Sequence, residues 1–129
     1  MEHLLARDFF AESSLADMVS MFFDVSDPAG QVLVFLLDHD MTVQEAARRL
    51  GRDRSTAQRA LHSLVKKGLA VRRRVPAKGG GSKFVYSAVP ASTLEKRMKR
   101  VINAWADTAM SNVKKTLNRI EQDEDRGNF

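Results

Sequence analysis

Between Asp53 and Lys67 the chain reads DRSTAQRALHSLVKK, and its hydrogen-bonding side chains fall on one side of the pattern. Read as a helix, Ser55, Gln58, Arg59, His62 and Lys66 share one stripe, while Ala57, Leu61, Leu64 and Val65 share the other. Hydroxyls, an amide and guanidinium groups near a helix start are donors and acceptors with no activated nucleophile among them. Their chemistry is recognition: hydroxyls and free N–H groups hold phosphate oxygens, and Gln or Arg can span two atoms of a base edge. A second run, RRRVPAKGGGSKFVY over residues 72–86, sets Arg72, Arg73, Arg74, Lys78 and Lys83 around Gly79, Gly80 and Gly81. It reads either as a solvated loop or as a flexible basic finger that reaches a polyanion.

Position along the chain decides how these residues are held. Asp27 and Pro28 supply a cap and a first helical position, so a helix is expected from about Pro28 to Asp38. Its sequence, QVLVFLLDHD, is apolar almost all round, which predicts burial on most sides. Thr42 with Glu45 three residues later is a reciprocal capping box, followed by Val43, Ala46, Ala47 and Leu50 on one face with Arg48 and Arg49 pointing away. Gly51 stops that helix, GRDR is a tight turn, and Asp53 or Ser55 caps a third helix that Gly68 ends. LAVRRRVPA and KFVYSAVP then form a β-hairpin across AKGGGS, with Phe84 and Tyr86 on one face and Val85 and Ser87 on the other. A helix-turn-helix followed at once by a basic hairpin is the winged-helix arrangement. The three glycines let its tip bend into a minor groove or along a backbone, with Lys78 and Lys83 beside it and Arg72 to Arg74 at its base.

Charge supports that reading. The 129 residues carry a net +5, but residues 1–40 hold one basic and eight acidic side chains, residues 41–100 sixteen and three, and residues 101–129 four and five. The central +13 block is an electrostatic footprint for phosphate. A chain of this length makes about one domain with one modest core. With no cysteine and only His3, His39 and His62, neither a disulfide framework nor a metal motif is indicated, and no cofactor is implied. The N-terminal stretch MEHLLARDFFAESS has neither the basic start nor the apolar run of a signal peptide, and no run of about eighteen apolar residues occurs, so a cytoplasmic, nucleoid-associated protein is expected. No Gly-rich phosphate loop or Ser, His and Asp cluster has motif context, so no enzyme is expected. Asp38, His39 and Asp40 point in different directions at a helix end, where His39 serves as a terminal charge.

The segment AARRLGRDRSTAQRALHSLVKKGLAVRR, the glycine-rich wing ending in KFVYSAVP, and a following helix with the tryptophan of VINAWADTAM together resemble the TrmB-like winged-helix transcription regulators of archaea, which are related to the MarR-like regulators. The resemblance covers about residues 27–110. It implies sequence-specific, dimeric binding of double-stranded DNA, with Arg54, Ser55, Thr56, Gln58 and Arg59 facing the duplex. Thr42, at the start of the preceding helix, joins the candidate contacts. Arg52 stands where many relatives have a small apolar plug, so the turn is either looser or Arg52 swings outward to phosphate. Large relatives carry a sugar-binding domain after the wing; this chain has no room for one, and ligand sensing of that kind is not implied.

From Ser92 or Thr93 to about Gln122 the chain lacks Gly and Pro, and Leu94, Met98, Ile102, Trp105, Ala109, Val113, Leu117 and Ile120 recur every three or four residues. Met98, Ala109 and Ile120 are eleven apart, which predicts a nearly straight or slightly right-handed stripe. A helix of about thirty residues spans about 45 Å, too long for one small domain to cover, so the stripe is expected to meet its copy in a second subunit with Trp105 as anchor. Leu15, Met18, Val19, Phe22 and Phe23 form one apolar face of an N-terminal helix capped by Ser13 or Ser14, expected to pack on the long helix of its own or the partner chain. A docking groove for another protein or an apolar effector is the other use of the stripe.

The fold class expected is mainly α with a small β-hairpin wing (α+β): an N-terminal amphipathic helix over 1–26, a winged helix-turn-helix over 27–90, a long dimerisation helix over 91–122 and a frayed tail over 123–129. The function expected is transcription regulation by a homodimer, with the helix at about 54–67 in the major groove and the wing, 72–86, on the backbone or minor groove. Two other readings stay open: an abundant architectural protein of the nucleoid with little sequence preference, and an interaction adaptor that has kept the fold without DNA binding.

Overall fold

A computed structural model describes residues 14–127. Residues 1–13 of the N-terminal element expected over 1–26, and residues 128 and 129 of the tail, lie outside the described residues.

Helix α1 (Leu15–Phe23) starts at a reciprocal capping box in which Asp17 N–H donates to Ser14 Oγ at 3.2 Å and Ser14 N–H donates to Asp17 Oδ2 at 3.4 Å. Its apolar side buries Val19 completely, and the rings of Phe22 and Trp105 of the same chain meet in a T-shaped pair, centroids 5.7 Å apart at 83°. Helix α2 (Asp27–Asp38) begins one residue earlier than the Asp27–Pro28 pair suggests. Ser26, extended at φ −66° and ψ 160°, is the cap, and its Oγ accepts from Ala29 N–H at 3.2 Å; Asp27 is the first helical residue. The expected burial of α2 on most sides is also corrected, because Val32, Leu33 and Leu36 are buried while Val34 and Leu37 remain exposed.

Helix α3 (Val43–Leu50) and helix α4 (Arg54–Lys66) are the helix-turn-helix pair. Thr42 caps α3, accepting from Glu45 N–H at 3.2 Å, but the expected reciprocal box is only half formed: Thr42 Oγ1 donates to Glu45 Oε1 at 3.1 Å, so Glu45 does not reach back to the Thr42 N–H. Gly51 ends α3 at φ 68°, a left-handed conformation that side-chain-bearing residues resist, and its N–H bonds back to Ala47 and Arg48 carbonyls. Arg49 fixes α3 to α2, pairing with Asp38 at 2.9 Å and lying 4.5 Å from the centre of the Phe35 ring.

Strands β1 (Ala70–Pro76) and β2 (Ser82–Ala88) pair antiparallel from Ala70 opposite Ala88 to Pro76 opposite Ser82. A second, single-residue pairing has no signal in the sequence: Met41, just before α3, exchanges backbone hydrogen bonds of 3.0 and 2.8 Å with Tyr86. The tip is more ordered than its glycines suggest, with Ala77 N–H donating to Gly81 O at 3.2 Å and Gly80 N–H to Ala77 O at 3.3 Å. All three glycines have positive φ, so they specify a turn as well as supplying freedom.

Leu33, Met41, Leu61, Leu64, Leu69, Val19 and Val32 form the fully buried centre. Helix α5 (Ala91–Gly127) leaves that core as it runs. Leu94 is buried and Met98 packs on the core, which removes both from the face expected to meet a partner. Past Ile102 the described side chains are exposed apart from a partly covered Ala109. The helix also continues through Gly127, so most of the tail expected to fray is helical.

Candidate nucleic-acid interface

The start of α4 and the face of the wing that carries Arg72, Phe84 and Tyr86 enclose a cleft of about 520 Å³. Thr42, Arg54, Gln58, Arg72 and Lys83, all expected from the sequence, line it together with Gln44, Glu45, Arg48, Ser82, Phe84 and Tyr86. Among the described residues that line it, Glu45 is the single carboxylate against four cationic side chains. An adjoining hollow of about 460 Å³ is lined by Ser55, Gln58, Arg59 and His62, again bordered by Arg72 and Tyr86. The recognition stripe and the wing therefore share one basic concavity. Arg52 is exposed in the turn, as are Lys66 at the end of α4 and Lys78 with Gly79, Gly80 and Gly81 at the wing tip.

Asp53 is the cap that organises the start of α4. Its Oδ1 accepts from Thr56 N–H at 3.3 Å and from the Thr56 hydroxyl, and the latter bond first of all holds the Asp53 carboxyl below the usual carboxylate value. Thr56 is only 9% exposed, and its Oγ1 also accepts from Arg59 Nη2 at 3.3 Å. Thr56 is thus corrected from a DNA-facing residue to an inward one that ties the cap to Arg59.

The three consecutive arginines divide. Alternation puts Arg72 and Arg74 on the face of Phe84 and Tyr86, and Arg73 on the other. Arg73 donates to Asp40 Oδ2 at 2.9 Å and to Ser87 Oγ at 2.6 Å, so it secures the wing root to the segment before Met41 and is not a free phosphate contact. Arg73 hydrogen bonding, then Ser87, holds the Asp40 carboxyl below its ordinary value. A depressed carboxylate contributes stability above its unfolded-state pKa and loses it as pH falls through the lower folded value. Both side chains are about half exposed, so the contribution is less than about 1 kcal/mol. Asp40→Asn is accordingly expected to melt slightly lower than the parent at neutral pH, with the gap closing under acid conditions in a thermal titration.

Gln44, Arg48, Ser82, Phe84 and Tyr86 were not among the expected site residues. Gln44 and Arg48 are four apart on the outer side of α3, and the hairpin register places Phe84 opposite Arg74, so both groupings had a sequence signal. Among the described residues no group of three or more His, Asp or Glu could hold a metal ion, and no helix is long and apolar enough to cross a membrane.

Two helices joined by a capped turn, a following hairpin and a basic hollow between them define a winged helix-turn-helix protein. Residues 23–79 match the MarR family. The chain is 37% identical over 79 residues to an uncharacterized protein of Methanocaldococcus jannaschii, across 61% of this chain and 57% of that protein. A second uncharacterized protein of the same organism is 40% identical over 76 residues, across 59% of each. The chain thus spans somewhat over half the length of the curated relatives it matches. A possible transcriptional regulator from Methanosarcina mazei Go1 has the same fold, with a TM-score of 0.67 at 20% identity over 77% of this chain and 85% of that one. A MepR–DNA complex from S. aureus gives a TM-score of 0.55 at 19% identity over 92% and 96%. The likeness to the MarR family thus runs through the helix-turn-helix and the first strand of the wing, and the TrmB-like resemblance is compatible with it; the two solved structures share the winged-helix fold.

Proposed function

We infer that the protein binds duplex DNA as a homodimer and regulates transcription, acting in the cytoplasm on the nucleoid. The observation that carries this is the convergence of Arg54 and Gln58 from α4 with Arg72 and Lys83 from the wing around one cleft. A major groove about 12 Å wide admits α4, whose first turns bring Gln58 and Arg59 toward base edges while the wing follows the flanking backbone or minor groove. The fold is shared with a MepR structure that was solved in a DNA complex. The exposed apolar side of α5 supplies the dimer contact.

Selection of random duplexes by the purified protein at about 0.15 M salt tests the reading. A regulator enriches an inverted repeat with half-sites about one helical turn apart or a multiple of it. Tight binding with no enriched sequence would replace it with an architectural role, and no salt-sensitive binding would leave only the adaptor. On the enriched site, Arg59→Ala is expected to relax base preference, whereas Lys78→Ala weakens all sequences alike and reduces the salt slope by about one unit. Equal loss of specificity in both would contradict this division of labour.

A further inference from the structure

On the wing, two arginines are held in place without a carboxylate. The guanidinium carbon of Arg72 lies 4.2 Å from the centre of the Phe84 ring and that of Arg74 lies 5.2 Å from it. Both distances are within the range at which the ring's negative face attracts a cation. Neither arginine has an ion-pair partner among the described residues, in contrast to Arg73 on the opposite face of the same strand. The difference bears on DNA binding. A carboxylate that orders an arginine also neutralises it, as Asp40 does for Arg73, whereas an aromatic ring restricts the side chain and leaves its charge and its outward N–H donors available.

Phe84 has little structural reason to be aromatic. It is 36% exposed and lies outside the core cluster, while Tyr86, two residues on and on the same face, is buried there and secures the hairpin to Met41. We propose that Phe84 is a positioning residue for DNA binding, a platform that presets Arg72 and Arg74 as a pair of phosphate contacts on the side of the wing facing the recognition helix. The proposal rests on the DNA-binding reading above. It deepens that reading by dividing the wing's basic run into a preset pair, Arg72 and Arg74, and a structural member, Arg73. An unrestrained arginine loses rotamer freedom when it seats on phosphate; one already resting on a ring loses less.

The test titrates a labelled random-sequence duplex with the parent, Phe84→Leu, Phe84→Tyr, Arg72→Ala, Arg74→Ala, and Phe84→Leu combined with both arginine substitutions, each also followed by thermal melting. Phe84→Leu is expected to bind about three- to tenfold more weakly with an unchanged melting temperature, and Phe84→Tyr to remain within about twofold of the parent. In the background lacking both arginines, Phe84→Leu should cause no additional loss. Full affinity in Phe84→Leu alongside weakened arginine variants overturns the proposal and leaves the DNA reading intact. Parent-like affinity in both arginine variants removes Arg72 and Arg74 from the DNA interface, and the proposal with them. A loss in Phe84→Leu that persists without the arginines, or that tracks a lowered melting temperature, makes the ring a structural element of the hairpin and also overturns it.

Discussion

A chain carrying Val113→Asp and Leu117→Asp is expected to sediment as a monomer and to bind an inverted-repeat duplex about a hundredfold more weakly than the parent, because two half-site contacts no longer act together. The argument begins with α5. Its 37 residues extend about 55 Å, yet Leu94 and Met98, near its start, are the side chains of its stripe that join the core, with Ile102 partly covered. Farther along, Trp105, Met110, Val113, Leu117 and Ile120 are each about half exposed, Val113 at 46% and Leu117 at 55%. A helix arm with no tertiary cover is marginal in water, and burying such side chains contributes about 1.5–3 kcal/mol each when complete. In the proposed dimer a second copy laid along the stripe would supply both the cover and the free energy. Two aspartates per chain place four carboxylates in that contact, each at a desolvation cost of several kcal/mol, whereas their cost to helix propensity is at most about 0.7 kcal/mol each. Thr108→Asp with Ser111→Asp, on the opposite side of α5, is the control that should remain dimeric. If the Val113 and Leu117 variant also stays dimeric, association is made elsewhere, with exposed Val34 and Leu37 of α2 the next surface to test.

Local signals were legible in the sequence, and long-range partners were not. Thr42 and Asp53 are caps and Gly51 is a stop because each needs only the residues beside it, and the alternation of β2 follows from the pleat. The recognition stripe and the wing could be read as one basic surface because their charges cluster in sequence. Arg73 could not be told from its neighbours, since its partner Asp40 lies 33 positions away. Thr56 has the residue type of a phosphate contact, but the cap at Asp53 takes its hydroxyl and turns it inward. Leu94 and Met98 continue the apolar spacing of α5 without interruption, and periodicity cannot say where one helix stops facing its own core and begins facing another. The Met41 pairing is a single residue opposite Tyr86, too short for any β-strand pattern.

Gly30→Ala is expected to lower the melting temperature by about 5–10 °C, which for a chain of this size corresponds to about 1–2 kcal/mol. Propensity alone predicts the opposite sign, since alanine is about 1 kcal/mol better than glycine inside a helix. Geometry decides the balance. A Cβ at Gly30 would sit 2.3 Å from the Ala16 carbonyl oxygen, 3.1 Å from its carbonyl carbon and 3.4 Å from its Cα. These are backbone atoms with no rotamer to change, so α1 has to retreat from α2, and overpacking of this kind costs about 1–3 kcal/mol before the loosened packing of Val19 is added. Combining Gly30→Ala with Ala16→Gly separates main-chain from side-chain crowding. The carbonyl remains when the Ala16 methyl is removed, so the double variant should melt no higher than Gly30→Ala alone. Recovery in the double variant would place the crowding at the Ala16 side chain, and a melting temperature above the parent in Gly30→Ala would mean that α1 rests on α2 loosely enough for propensity to prevail.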